Sequence, residues 1–398
     1  MKTGILFKKD RAIIGASFDG NRMTDVSVTG EDREFRPGDI YVATIRQIVP
    51  NIGGMFLQMG GDRNCFLKLS KADHPIVRQT HADGALHCGD ELVVQVEREE
   101  GKNKPASVVT EFALTGVYLV LFHGGEGVRV SSKIMDEAWK KEMRGKVSEW
   151  IDGDYALMLR TNSYEADPAE IEREFKMLHK TYQTICSEGM TRTNGTLLWS
   201  GLPAYLCELR DHKGELPDRI IVPEGEIADE VSSFCERFRP ELLPKLSVRK
   251  NDEYPVEAEF DMNKRLRELT ARKVWLKSGA YLVIDPTEAM TVIDVNSGKA
   301  SAARSAGDLL SVNLEAAREI ASQIRLRNLS GIILVDAIDM TDVKAQETLL
   351  ATLRELVCDD PVETKVVDIT RLNLVEITRR KQRRPLAEEL RKHTDNFA

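Results

Sequence analysis

The sequence predicts an α+β protein of several domains, and three observations carry that prediction. At 398 residues the chain exceeds what one compact core normally organises, so roughly two to four domains are expected. Residues 36–115 are β-rich throughout, with short strands separated by glycine turns. Residues 278–378 instead alternate short apolar, β-branched runs with helical-period segments, the pattern of a sheet covered by crossover helices.

From the N-terminus, residues 12–16 and 23–28 read as a hairpin around Asp19-Gly20-Asn21, too small to stand alone. Residues 38–48, 55–59, 65–67 and 89–98 then read as strands, in the order of a small five-stranded OB barrel. The open face of such a barrel stacks bases on aromatic rings beside a basic rim. Phe56 and Phe66 are the candidate platforms, with Lys102 and Lys104 as phosphate contacts in the adjoining loop. On pattern alone the two rings serve equally well as core.

Residues 116–122, 128–134 and 154–161 continue as strands, with a turn at Gly124-Gly125-Glu126-Gly127. Asp167 N-caps a helix that has Pro168 in its first position and Glu170 and Glu172 in its first turn. That helix is expected to run to about Ser187, ahead of Gly189. Residues 206–277 mix short strands such as 220–222 with helices and close in a basic amphipathic helix over 264–277. Beyond it, residues 281–284 and 290–297 flank a turn at Asp285-Pro286, and a helix spans 313–327. A strand follows from Ile332, then a helix over 343–357 with Leu349, Leu353, Leu356 and Val357 inward, and strands at 365–369 and 374–377. Residues 379–398 read as a basic, charged tail.

Composition narrows the function. With 42% hydrophobic and 30% charged residues the chain has no apolar run long enough to cross a bilayer, and no secretory signal near Met1. Six cysteines without a C-x-x-C pair speak against a structural zinc site and for reduced thiols in a cytoplasmic setting. A net charge of −8 argues against indiscriminate nucleic-acid binding but leaves room for a local basic groove.

The chemistry concentrates at two strand ends. Met290-Thr291-Val292-Ile293-Asp294-Val295-Asn296 and Ile332-Ile333-Leu334-Val335-Asp336 each deliver a carboxylate as an apolar run closes. Side by side in one sheet they form an oxygen-rich site suited to Mg²⁺ or Mn²⁺. Asp and Asn also end strands because they make good turns and helix caps, so the doubled pattern alone leaves both readings open. Asp339, three residues past Asp336, ranks below it because strand alternation turns it to the other face.

The segments 294–297, 335–340, 277–285, 313–317 and 324–333 together resemble the catalytic core of the ribonuclease E/G family, and residues 38–69 resemble an S1 domain. The similarity covers nearly the whole chain in one order. It implies an S1 (OB-fold) barrel at 36–115 inserted in an RNase H-like subdomain made of 1–35 and 206–277. It further implies a 5′-sensor subdomain at 116–205 and a DNase I-like catalytic domain at 278–378. The resemblance implies that Asp294 and Asp336 hold Mg²⁺ and that Asn296 orients the scissile phosphate. It likewise implies that Gly127, Val128, Arg160 and Thr161 bind a monophosphorylated 5′ end. From the residues alone, Arg160 can also be read as a surface ion-pair partner.

Two features depart from the family pattern. A further sensor arginine of the family is replaced here, near Glu363, and no cysteine follows Cys358 to make the zinc link between protomers. A compact, ribonuclease G-like member is implied, a monomer or a dimer without zinc, acting on single-stranded RNA. The leading expectation is an endoribonuclease of rRNA or mRNA processing and decay. A non-catalytic RNA- or ribosome-binding protein on the same scaffold is the alternative. A small-molecule phosphoesterase would leave the S1 domain unexplained.

Overall fold

The computed structural model describes residues 1–31, 35–100, 104–212, 216–250, 252–298, 306–340, 342–358 and 360–395. The protein is α+β, with a closed five-stranded barrel and three further sheets among the described residues. It divides into two compact units, one of Met1–Glu31, Leu216–Glu230 and Pro244–Ala398, the other of Asp32–Glu215 and Val231–Leu243.

In the first unit, Leu246–Arg249, Arg219–Pro223, Lys2–Lys9, Ala12–Asp19 and Arg22–Gly30 form a five-stranded sheet in that order. Lys2–Lys9 is an addition to the expected hairpin. Its apolar core is only residues 4–7, too short to stand out against the flanking lysines. Ile5, Phe7, Ile14 and Phe18 pack with Leu266 and Leu269 of the helix Met262–Thr270 and with Leu386 and Leu390 of the helix Leu386–His393.

Two expectations change here. The basic helix stops at Thr270, and Lys273–Trp275 instead forms a strand paired antiparallel to Tyr281–Val283. A β-branched and an aromatic residue next to the Ser278-Gly279 turn, where Gly279 has φ +82°, favour the hairpin over further helix. The C-terminal segment is no free tail. Leu386 and Leu390 are buried, each burial stabilising by roughly 1.5–3 kcal/mol, and the His393 carbonyl accepts from the Arg11 amide at 3.2 Å.

The second sheet of this unit runs Lys273–Trp275, Tyr281–Pro286, Met290–Asn296, Gly331–Asp336, Leu374–Arg379 and Thr364–Ile369. Alternate residues Leu282, Ile284, Ile293, Val295, Ile333, Val335, Val375 and Ile377 are buried with the helices Ala306–Leu326 and Val343–Cys358. The first of these helices is the crossover that lets Met290–Asn296 and Gly331–Asp336 lie parallel. Leu356 is surface-exposed, contrary to its expected inward place, and Leu350 is buried instead beside Leu349, Leu353 and Val357. Helical spacing accommodates either stripe, and packing decides the rotation.

In the second unit the barrel is built from Ile40–Val49, Gly54–Gln58, Asn64–Lys68, Ala106–Val109 and Glu91–Arg98, closed by pairing of the last with the first. Buried Asp39 anchors its entry by accepting from the amides of Gly201 at 2.7 Å and Arg36 at 2.8 Å. A four-stranded sheet follows, ordered Val128–Val130, Tyr155–Leu159, Leu119–His123 and Ala113–Thr115. The helix Pro168–Gly189 packs on it, capped by the Asp167 carboxylate at the Ala169 amide, as the sequence predicts. Residues 206–215 and 231–243 belong to this unit and the rest of 206–277 to the first.

Candidate active site

Asp294 and Asp336 are direct partners across the parallel pair, at the carboxyl ends of their strands. Strand alternation makes Val292, Asp294 and Asn296 face one way while Ile293 and Val295 enter the core, so the carboxylates share the sheet face that the helices leave uncovered. Asn296 donates from Nδ2 to Asp294 Oδ2 at 2.7 Å, which holds that carboxylate in place and leaves the second amide hydrogen available. Partial burial pushes the Asp336 carboxyl up, and the negative charges of Asp294 and Asp339 push the same way. Repulsion of this kind is what a divalent cation relieves.

The donor set is two carboxylates. Among the described residues no three or more His, Cys, Asp or Glu side chains are grouped to hold a metal. One or two carboxylates completed by water and substrate phosphate are the normal protein contribution to Mg²⁺, so the residues present fit that ion.

The loop after Asp336 is held by a residue from the crossover helix. Buried Asn313 donates from Nδ2 to the Ile338 carbonyl at 2.8 Å and accepts at Oδ1 from the Ile338 amide at 3.0 Å. Gln346 adds a bond from Nε2 to the Met340 carbonyl at 3.0 Å. Gly298, two residues past Asn296, takes φ +70° against the Gly279 backbone. A Cβ there would meet the Gly279 carbonyl oxygen at 2.4 Å. Asp285 lies in a strand rather than a turn and pairs with Arg272, so it takes no part in the acidic pair.

Phe56 and Phe66 are cross-strand partners with ring centroids 5.4 Å apart, half-buried on the barrel's outer surface and absent from its core cluster. The core reading of these rings does not hold. Gly54 makes room for them, since a Cβ there would lie 2.2 Å from Phe66 Cζ. Lys104 is exposed, and Lys102 lies outside the described residues.

Gly127 takes φ +71°, and the segment it starts runs beside Thr161, whose Oγ1 lies 3.0 Å from Ser131 Oγ. Arg160 follows the strand Tyr155–Leu159, and its guanidinium is held by the Gly116 carbonyl and by Asp211 Oδ1 at 2.6 Å. Arg210 donates to the same carboxylate through Nε at 2.8 Å. Burial alone would raise Asp211, yet Arg210 and Arg160 bring its carboxyl down to about 2. Glu174 is buried close by and accepts from the amides of Val117, Tyr118 and Leu119 at 2.7–2.8 Å. Gly116 lets it in, because a Cβ there would sit 2.3 Å from Glu174 Oε1.

A folded-state carboxyl depressed below its ordinary value of 3.8 contributes stability above that pH, and the contribution is lost as pH falls toward about 2. We expect Asp211→Asn to cost about 2 kcal/mol at pH 7. Thermal unfolding of wild type and variant should converge between pH 4 and pH 2; a gap that persists at the acid end rules out this ion pair as its source.

The Ribonuclease E/G family model matches residues 113–382, more than half of the chain and all of the acidic site. The chain belongs to the ribonuclease E/G family. Ribonuclease G of Escherichia coli K12 is 30% identical over 386 residues, covering 94% of this chain and 79% of that protein. Ribonuclease E of Nostoc sp. PCC 7120 is 31% identical over 352 residues, 87% of this chain and 51% of that protein. Ribonuclease E of Haemophilus influenzae is 27% identical over 385 residues, covering 94% of this chain and 41% of that protein. Homology to ribonucleases E and G, which are endoribonucleases, is thereby established along the chain, barrel included. Among the described residues no helix is long and apolar enough to cross a membrane.

For a ribonuclease E/G family member, sequence reasoning missed three supporting side chains: Asn313, Glu174 and Asp211. Asn313 alone left a signal, a polar residue on the buried stripe of an amphipathic helix between Val312 and Ala316. The other two look like ordinary helix-surface acids.

Proposed function

We propose that the protein is a divalent-metal-dependent endoribonuclease that hydrolyses single-stranded RNA to 5′-phosphate and 3′-hydroxyl ends, in rRNA or mRNA processing or decay. The observation that carries the reading is the Asp294–Asp336 register with Asn296 bonded to Asp294. Asp294 and Asp336 would hold Mg²⁺, with Mn²⁺ as a substitute. When bound, the ion stabilises charge on the phosphoryl oxygens and makes water more acidic. Asn296 fixes the rotation of Asp294 with one amide hydrogen and offers the other to a phosphate oxygen. Asn313 keeps the segment from Asp336 to Asp339 in one conformation, so that both strand ends meet the phosphate without reorganising.

The domain assignments belong to the same proposal. Residues 1–35 with the strands Arg219–Pro223 and Leu246–Arg249 support an RNase H-like subdomain by their five-stranded mixed order. The barrel acts as the S1 domain, with Phe56, Phe66 and Lys104 gripping the strand. Residues 116–205 act as the 5′ sensor and 278–378 as the DNase I-like catalytic domain. The test is cleavage of a single-stranded, A/U-rich oligonucleotide with end-group analysis. Mg²⁺-dependent cutting with 5′-phosphate products is expected, while retained binding without cutting by the wild type would move the assignment to an RNA-binding protein.

The proposed sensor group is Gly127, Val128, Arg160 and Thr161. Because the Arg160 guanidinium is shared with Asp211, a terminal phosphate competes for it with an internal carboxylate. Preference for 5′-monophosphate over 5′-hydroxyl substrate should therefore be modest, about tenfold or less, equivalent to about 1.4 kcal/mol. Arg160→Ala should remove it. If the ratio of the two cleavage rates is unchanged in that variant, Arg160 is an ion-pair residue only.

A further inference from the structure

Trp275 is 65% exposed on the edge strand Lys273–Trp275, an unusual place for the largest side chain. Its ring centroid lies 5.2 Å from that of Tyr281, and Lys273 Nζ rests 3.9 Å from the Trp275 ring and 3.5 Å from the Tyr281 ring. An exposed aromatic cluster carries little by itself.

Trp275 is paired with Tyr281, and Tyr281 with Asn296, so these three lie on one line across the sheet. The next line on the same face is Lys273, Val283, Asp294 and Asp336. Directly opposed residues in a sheet share a face, and neighbouring strands are about 4.8 Å apart, which puts the Trp275 backbone about 10 Å from that of Asn296. The aromatic pair is thus continuous with the carboxylates and stands on the same open face of one sheet.

From this juxtaposition we propose that Trp275 and Tyr281 form a stacking subsite for an unpaired base of the RNA, next to the phosphate that Asn296 orients, with Lys273 as the contact for the adjoining backbone phosphate. The inference rests on the endoribonuclease reading above and adds to it a determinant of which nucleotides flank the cut. A base slides onto the π faces that the ammonium now covers, and the displaced Lys273 meets the phosphate. Stacking tolerates every base yet requires one to be unpaired, which makes this subsite a source of single-strand specificity inside the catalytic sheet. The edge position suits the role, because among the described residues one side of the strand pairs with no further strand.

The experiment uses the full chain and a set of single-stranded oligonucleotides with one abasic nucleotide moved stepwise through the cleavage site. Wild type should lose roughly 10-fold or more in kcat/KM at one abasic position, within the range of one base stack. Trp275→Ala should show the same loss on the intact substrate and no further loss at that abasic position. Trp275→Phe should recover most of the rate. Equal rates for wild type and Trp275→Ala on every oligonucleotide would overturn the subsite while leaving the nuclease reading intact. If wild type cuts nothing, the nuclease reading fails, and tryptophan fluorescence on RNA titration decides the subsite alone. Quenching that disappears in Trp275→Phe supports it, and quenching unchanged in that variant overturns it.

Discussion

Asp294→Asn should abolish RNA cleavage while leaving RNA affinity within a few-fold of wild type. The substitution keeps the side chain's shape but removes one of the two negative charges that make the strand ends a cation site. Loss of metal-assisted charge stabilisation, several kcal/mol, corresponds to a fall of roughly a thousandfold or more in kcat. A second readout does not depend on activity. In the absence of divalent ions the two carboxylates repel, and Asp336 is already pushed up by burial and by its neighbours Asp294 and Asp339. The variant should therefore unfold at the same temperature as wild type or a higher one without Mg²⁺, and should lose the Mg²⁺-dependent rise that wild type shows. Full activity in Asp294→Asn, or an undiminished Mg²⁺ response in unfolding, would remove the pair from the mechanism.

Arg379→Ala should be the most destabilising single change in the catalytic sheet. Arg379 and Asp360 are both almost fully buried, and the guanidinium donates through Nε to Asp360 Oδ2 at 2.7 Å and through Nη2 to Oδ1 at 3.2 Å. Its remaining nitrogen donates to Asn328 Oδ1 at 2.6 Å and the Leu329 carbonyl at 3.2 Å. Burial would raise the Asp360 carboxyl, but these bonds hold it below the ordinary range. Removing the arginine leaves a buried charge with only the Val362 amide and the Thr364 hydroxyl, a cost of about 3–5 kcal/mol. Arg379 pairs with Gly331 at the start of the strand that ends in Asp336, so the loss reaches the site. Replacing both partners, as in Arg379→Met with Asp360→Leu, should recover most of the stability. Denaturant midpoints of the two single variants and the double variant measure the coupling, and additive losses would mean the pair does not act as a unit.

The apolar β-branched runs ending in Asp294 and Asp336, the crossover helix between them and the capped helix after Asp167 were all legible in the sequence. Local pattern determines each of them: strand alternation, helical spacing and capping chemistry act within a few residues. Four of the barrel's five strands were legible for the same reason, through their glycine turns, whereas Ala106–Val109, only four residues long, was not. The folding of residues 264–277 was not, because a helix and a helix-plus-strand satisfy the same local pattern and only pairing with Tyr281–Val283 chooses between them. Nor was the docking of Leu386–His393, whose two leucines look like those of any amphipathic tail until a sheet is there to cover. The partners of Arg160 and the bonds of Asn313 and Glu174 depend on residues far along the chain, from 25 positions between Asn313 and Ile338 to 57 between Glu174 and Val117. Sequence alone thus determined the elements that carry the site and the pair of acids they present. The tertiary structure decided which polar groups hold those elements still, because hydrogen bonds across such separations leave no periodic trace in a linear chain.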